Sequence, residues 1–201
     1  MKKITLLLSV LLPCFAYAHT GADAGVHHGW ALLQGFAHPF TGLDHLAAML
    51  LVGVWSVQVF AHQRHAMWFM PMTFATLLSC GGILGMTGVA FPVEAMIAVS
   101  LLVFGVLVAY RIRLPLPLGA VLVGSFAVFH GMAHGAELPV SSAASALVGM
   151  VVGTLLLHLV GMLLAYFVLN RHHRLAQVIG LGTVALGSCS APFRPQNSSL
   201  Q

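Results

Sequence analysis

The chain has 201 residues, of which 59% are hydrophobic and only 6% charged, with a mean hydropathy of +0.97. A soluble domain carries about 25% charged residues, so a water-soluble enzyme or binding module is excluded and a polytopic membrane protein is indicated, long enough for one helical bundle without a sizeable soluble domain. The net charge of +4 does not point to nucleic acid, because five of the eight basic residues fall in short loops between apolar runs.

The first residues read as a secretory signal. Lys2 and Lys3 are the basic start, Ile4 to Leu12 the short apolar segment, and Ala16-Tyr17-Ala18 an A-x-A cleavage site. Cleavage after Ala18 makes His19 the new N-terminus, outside the cytoplasm. The alternative is an uncleaved first helix. Cys14, Cys80 and Cys189 are far apart in sequence and do not indicate a disulfide framework.

Six apolar stretches follow, at about 42–61, 67–88, 93–111, 115–134, 143–169 and 175–191. Each approaches the roughly 20 residues that cross a hydrocarbon core, and backbone facing lipid must satisfy its own polar groups, so each is predicted to be a helix. The expected fold is all-α: six transmembrane helices after a cleaved signal peptide at 1–18, a membrane domain at 19–192, and a short polar tail at 193–201. Arg64, Arg111, Arg113, Arg171 and Arg174 fall in alternate loops, which the positive-inside rule makes cytoplasmic. The mature N-terminus is then outside, as a secretory signal also requires. Trp55, Trp68, Tyr110 and Tyr166 fall near the cytoplasmic ends and are expected to form an interfacial belt.

On this map all four acidic residues, Asp23, Asp44, Glu94 and Glu137, lie on the outer side, together with His38, His45, His130 and His134. Ionisable groups at membrane depth cost roughly 2.5–3.5 kcal/mol each and face a cavity or a partner. In FHGMAHGAELP, His130 and His134 stand four residues apart and share one helical face. Glu137 returns to that face if the helix persists. Paired imidazoles with carboxylates suit a borderline divalent cation such as Ni²⁺, Co²⁺, Zn²⁺ or Cu²⁺. The plainer reading is that H-x-x-x-H bonds neighbouring helices.

In HPFTGLDH, Pro39 takes His38 out of a regular helix, and the chain is expected to bend into the membrane before the first span. Asp44 then sits in a first turn, where the helix dipole favours a carboxylate. Glu94, after Pro92, has the same explanation. His158, in LLLHLVGM, lies deep in the fifth span: either a neutral histidine bonding another helix, or a ligand further along a path. His19, His27 and His28 precede the first span, and His62, His65, His172 and His173 are loop residues. The ten methionines are read as packing.

HPFTGLDHLAAML, FPVEAMIAVS, FHGMAHGAELP and LLHLVGM, in that order, resemble the signatures of the HupE/UreJ family of small nickel permeases, over essentially the whole mature chain. The resemblance implies a secondary transporter, not an enzyme, that brings Ni²⁺, or in some members Co²⁺, across the bacterial inner membrane. The metal is substrate, no prosthetic group is implied, and the partners implied are the bilayer and hydrogenase or urease maturation proteins. Position by position, His38, Asp44 and His45 match the H-P-x-x-G-x-D-H motif. His130, His134 and Glu137 match H-G-x-A-H-G-x-E. Glu94, His158 and His19 are additional candidates. No G-x-x-x-x-G-K-[ST] sequence is present, so direct ATP drive is not supported. Two readings from other classes compete: an intramembrane zinc hydrolase, with water at an open zinc position, and a metal sensor or helper subunit.

Overall fold

A computed structural model describes residues 28–89, 91–138 and 141–190. The expected signal peptide, His19 and the polar tail lie outside the described residues. Among those described, the secondary structure is entirely helical: α1 (His28–Ala37), a 3₁₀ turn (His38–Phe40), α2 (Leu43–Phe60), α3 (Arg64–Gly85), α4 (Val93–Tyr110), α5 (Leu116–Gly135), α6 (Ala143–Leu164, prolonged by a π turn at Ala165–Leu169) and α7 (His173–Ser190). The bounds of α2 to α6 lie close to the apolar runs in the sequence.

Among the described residues five helices are long and apolar enough to cross a membrane: Leu43–Phe60, His65–Gly85, Val93–Tyr110, Leu116–Gly135 and Ala143–Leu169. This is the build of a multi-pass membrane protein. The sixth expected span is the helix α7, but it is not among those five. His173, Arg174 and Gln177 stand in its first two turns and dilute its apolar character. The short helix α1 was not among the sequence expectations. The bend expected before the first span is the 3₁₀ turn, with the buried Pro39 in it.

The bundle is built around α2, whose residues from Leu51 to Val57 are all buried. Its Trp55 shares the core with Met70, Phe74, Phe104 and Val123 from the neighbouring helices. The outward faces are apolar instead: Ile83, Val121, Val148 and Val178 each expose more than half of their surface. An apolar exterior is what a lipid solvent permits. Trp68, Tyr110 and Tyr166 are exposed as an interfacial belt requires, but Trp55 is not. Its ring is fully buried and its indole N–H donates to the Ile112 carbonyl at 2.9 Å.

Glycine seams hold the helices together. A Cβ added at Gly131 would overlap the Leu78 carbonyl, and one at Gly135 the Gly82 carbonyl. The α3 and α5 backbones therefore touch, as small residues allow in membrane bundles. The seams between α2 and α6 at Gly53 and Gly161, and between α4 and α7 at Gly105 and Gly180, are of the same kind.

Candidate metal centre

The start of α2, the start of α4 and the end of α5 meet at one end of the bundle. There a cavity of about 260 Å³ is lined by His38, Asp44, His45, Glu94, His134 and Glu137, with Thr41, Gly42 and Ala133 completing the wall. Among the described residues the three acidic side chains all line this cavity, while the arginines stand at or beyond the opposite ends of the helices. At that opposite end the Arg111 guanidinium donates to the Leu169 carbonyl.

Asp44 and His45 form a local unit. One Asp44 carboxylate oxygen accepts the His45 backbone N–H at 2.8 Å and the His45 Nδ1–H at 2.9 Å. Gly42, extended at the N-cap, makes the space. A Cβ there would stand 2.8 Å from that same carboxylate oxygen. With its Nδ1 proton committed to Asp44, His45 keeps a lone pair on Nε2, which is buried and without a partner. A carboxylate behind a ligating histidine fixes its tautomer and strengthens it as a base.

His130 is prepared in the same way by its own helix. Its Nδ1–H donates to the Phe126 carbonyl at 2.8 Å, and its Nε2, fully buried, has no partner. His134, one turn on, meets His38 from the 3₁₀ turn, with Nδ1 2.8 Å from His38 Nε2. Its Nε2 is also buried and unpartnered. The His45 ring lies 4.5 Å from that of His134 and 5.2 Å from that of His130, centre to centre. Three imidazoles from two helices thus crowd together, each with a nitrogen that finds no partner among the described residues. Buried polar atoms are nearly always paired, so three such atoms in one place call for a ligand.

Above them, His38, His134 and Glu137 each offer one ligand atom, all within 4.8 Å of one another. Glu137 is exposed, 4.0 Å from His38 Nε2. Burial pushes the His38 pKa below its ordinary value of 6.5, with Glu137 opposing the shift and His45 adding to it. His38 therefore stays neutral, and able to ligate, further into acid.

The HupE / UreJ protein family model matches residues 6–189. The chain belongs to the HupE/UreJ family. It is 38% identical over 192 residues to "Protein HupE" of Rhizobium leguminosarum bv. viciae, covering 94% of this chain and 96% of that one. No solved structure matches.

In this HupE/UreJ member both sequence motifs contribute to one place. His38, Asp44, His45, His134 and Glu137 line the cavity, and His130 sits directly behind His45. Glu94 stands exposed on the rim. His158 does not line the cavity; it lies deeper, against the Phe74 ring. Thr41, whose hydroxyl donates to the His38 carbonyl at 2.8 Å, and Phe74, which touches both His130 and His158, escaped the sequence reading. Thr41 falls inside the first motif. Phe74 carried no local signal at all. The chemistry on offer is neutral nitrogen donors with carboxylates at the mouth, a set suited to a borderline divalent cation.

Proposed function

We propose that this protein is a secondary transporter that admits a divalent transition metal, Ni²⁺ or Co²⁺, across the bacterial inner membrane to supply hydrogenase or urease maturation. The observation that carries the reading is the group of three unpartnered Nε2 atoms on His45, His130 and His134, beneath a cavity that gathers all three described acidic residues. The carboxylates attract a cation and the imidazoles replace its water. His38, Asp44, His45, His130, His134 and Glu137 form the entry site, with Asp44 acting through His45 and Glu94 at the mouth. Family membership and the likeness to "Protein HupE" support nickel as the cargo and argue against an enzyme.

In this reading α7 is a sixth crossing. It runs beside α4, with Gly180 against Gly105 and Gly187 against Ala98, and its outer residue Val178 is 68% exposed, as on a lipid face. The arginine-bearing ends face the cytoplasm and the cavity opens outside. Residues 1–18 act as a cleaved signal.

The test is uptake of ⁶³Ni²⁺ and ⁵⁷Co²⁺ into sealed proteoliposomes, with Zn²⁺ and Cu²⁺ as competitors. Saturable uptake of Ni²⁺ or Co²⁺ supports the reading. Tight binding without uptake would make the protein a sensor or helper, and turnover of a lipid or peptide would make it an enzyme.

A further inference from the structure

One histidine stands apart from the entry site and is prepared in the same way. His158 is 1% exposed, near the middle of the 27-residue Ala143–Leu169 span. Its Nδ1–H donates to the Met49 carbonyl of α2 at 2.7 Å. Met49 follows His45 by four residues, so this contact is about 6 Å deeper in the bundle, at 1.5 Å of rise per residue. The α2 and α6 backbones touch here, since a Cβ at Gly53 would overlap the His158 carbonyl. The imidazole is thus fixed in place and in tautomer, with its lone pair on Nε2.

That Nε2 is buried and has no partner among the described residues. If the only role of His158 were to tie α6 to α2, Nδ1–H would suffice and the second nitrogen would be an uncompensated acceptor in a dry span. Thr154 lies four residues earlier, on the same face of α6. It is fully buried and its hydroxyl is unpartnered too.

Phe74 neighbours both His158 and His130 of the entry site. Its ring centre is 5.1 Å from that of His158 and 5.6 Å from that of His130, edge-on to both. The two imidazoles therefore share one aromatic neighbour. Such a ring excludes water yet offers a π face to a passing cation.

We propose that His158 and the Thr154 hydroxyl form a second, interior station for the divalent cation, reached from the entry site past the Phe74 ring. The station rests on the transport reading and extends it: the entry site determines capture, and the interior station determines the rate of passage.

The test uses the full chain. In His158→Asn the side-chain amide can still donate to the Met49 carbonyl, but the ε lone pair is gone. Nickel affinity in detergent, by calorimetry, is expected to stay within about twofold of wild type. The maximal rate of ⁶³Ni²⁺ uptake into proteoliposomes is expected to fall about tenfold or more, with KM unchanged. Wild-type uptake in this variant would overturn the station. So would a loss of affinity as large as the loss of rate, since His158 would then only support the entry site. If the Asn variant does not accumulate in the membrane, Thr154→Val decides. It removes the hydroxyl at constant shape, uptake about threefold slower is expected, and wild-type rates would overturn the proposal. Absence of nickel binding and uptake in the wild-type protein would instead sink the transport reading itself.

Discussion

Replacing Asp44 by asparagine tests the logic of the entry site, because it changes a charge and almost no volume. Asp44 is not placed as a ligand; it holds the proton of His45 Nδ1 at 2.9 Å. Crossing the imidazole ring and adding a metal–nitrogen bond of about 2.1 Å puts its charge about 7 Å from a cation on His45 Nε2. Coulomb's law for charges of −1 and +2 at that distance gives about 1 kcal/mol at a dielectric constant of 80 and about 5 kcal/mol at 20. Asp44 is half-buried beside an open cavity, so the lower part of that range applies. The amide can also donate to Nδ1 and so move the histidine proton to Nε2, which removes the ligand lone pair. Losing the carboxylate behind a ligating histidine typically costs 10- to 100-fold in affinity. Asp44→Asn is therefore expected to weaken nickel binding by about 1.4–2.7 kcal/mol, or 10- to 100-fold. Calorimetry on the purified protein in detergent reads this directly. Glu94→Gln, on the exposed rim, serves as the charge control and should lose less than about fivefold. An Asp44→Asn protein that binds within twofold of wild type, or no worse than Glu94→Gln, would refute the coupling through His45.

Removing a proposed ligand nitrogen should do more: His45→Ala and His134→Ala are expected to abolish high-affinity uptake while the protein stays in the membrane, as immunoblots of membranes alongside ⁶³Ni²⁺ uptake would show. Metal binding competes with protons at histidine, so nickel affinity should weaken as pH falls from about 7.5 to 5.5, by about one proton per unit or more at the acidic end. Because burial lowers the His38 pKa from 6.5, its share of that loss should appear below the ordinary histidine range; affinity that stays flat down to about pH 4.5, just above the range of free carboxylates, would remove the histidines from the site. At the α3–α5 seam, Gly131→Val should destabilise the bundle by about 1–3 kcal/mol, read as a lower Tm in detergent. Gly182→Ala, with nothing within 4 Å of the added methyl, should leave Tm unchanged or slightly raised. Reporter fusions after Arg64 and after Val140 should report opposite compartments, cytoplasm and outside respectively.

The long helices were legible because apolar run length is a strong local signal: the expected 93–111 and 143–169 became Val93–Tyr110 and Ala143–Leu169. Helix α1 was not, since ten residues of mixed character carry no spanning signal. Trp55 was misplaced for a related reason. Its position near a helix end suited the interface, but its N–H reaches a carbonyl 57 residues away, which only the fold supplies. Within the site, the shared face of His130 and His134 follows from helical spacing, and Asp44 beside His45 from adjacency. The His38–His134 contact spans 96 residues. It depends on the 3₁₀ turn placing the start of α2 against the end of α5. Phe74 was invisible for the opposite reason: among 12 phenylalanines, only packing distinguishes the one that touches two of these histidines.

The glycine seam between α3 and α5 brings those two backbones into direct contact, and the pair carries Phe74, His130 and His134. Asp44 and His45 belong to α2, on the other side of the cavity. On the transport reading, a cation held by both groups would also be a crosslink between the α3–α5 pair and α2. A motion drawing the α3–α5 pair away from α2 would then dismantle that coordination shell, so that retention and release would share one mechanical variable, the separation of the two groups of helices.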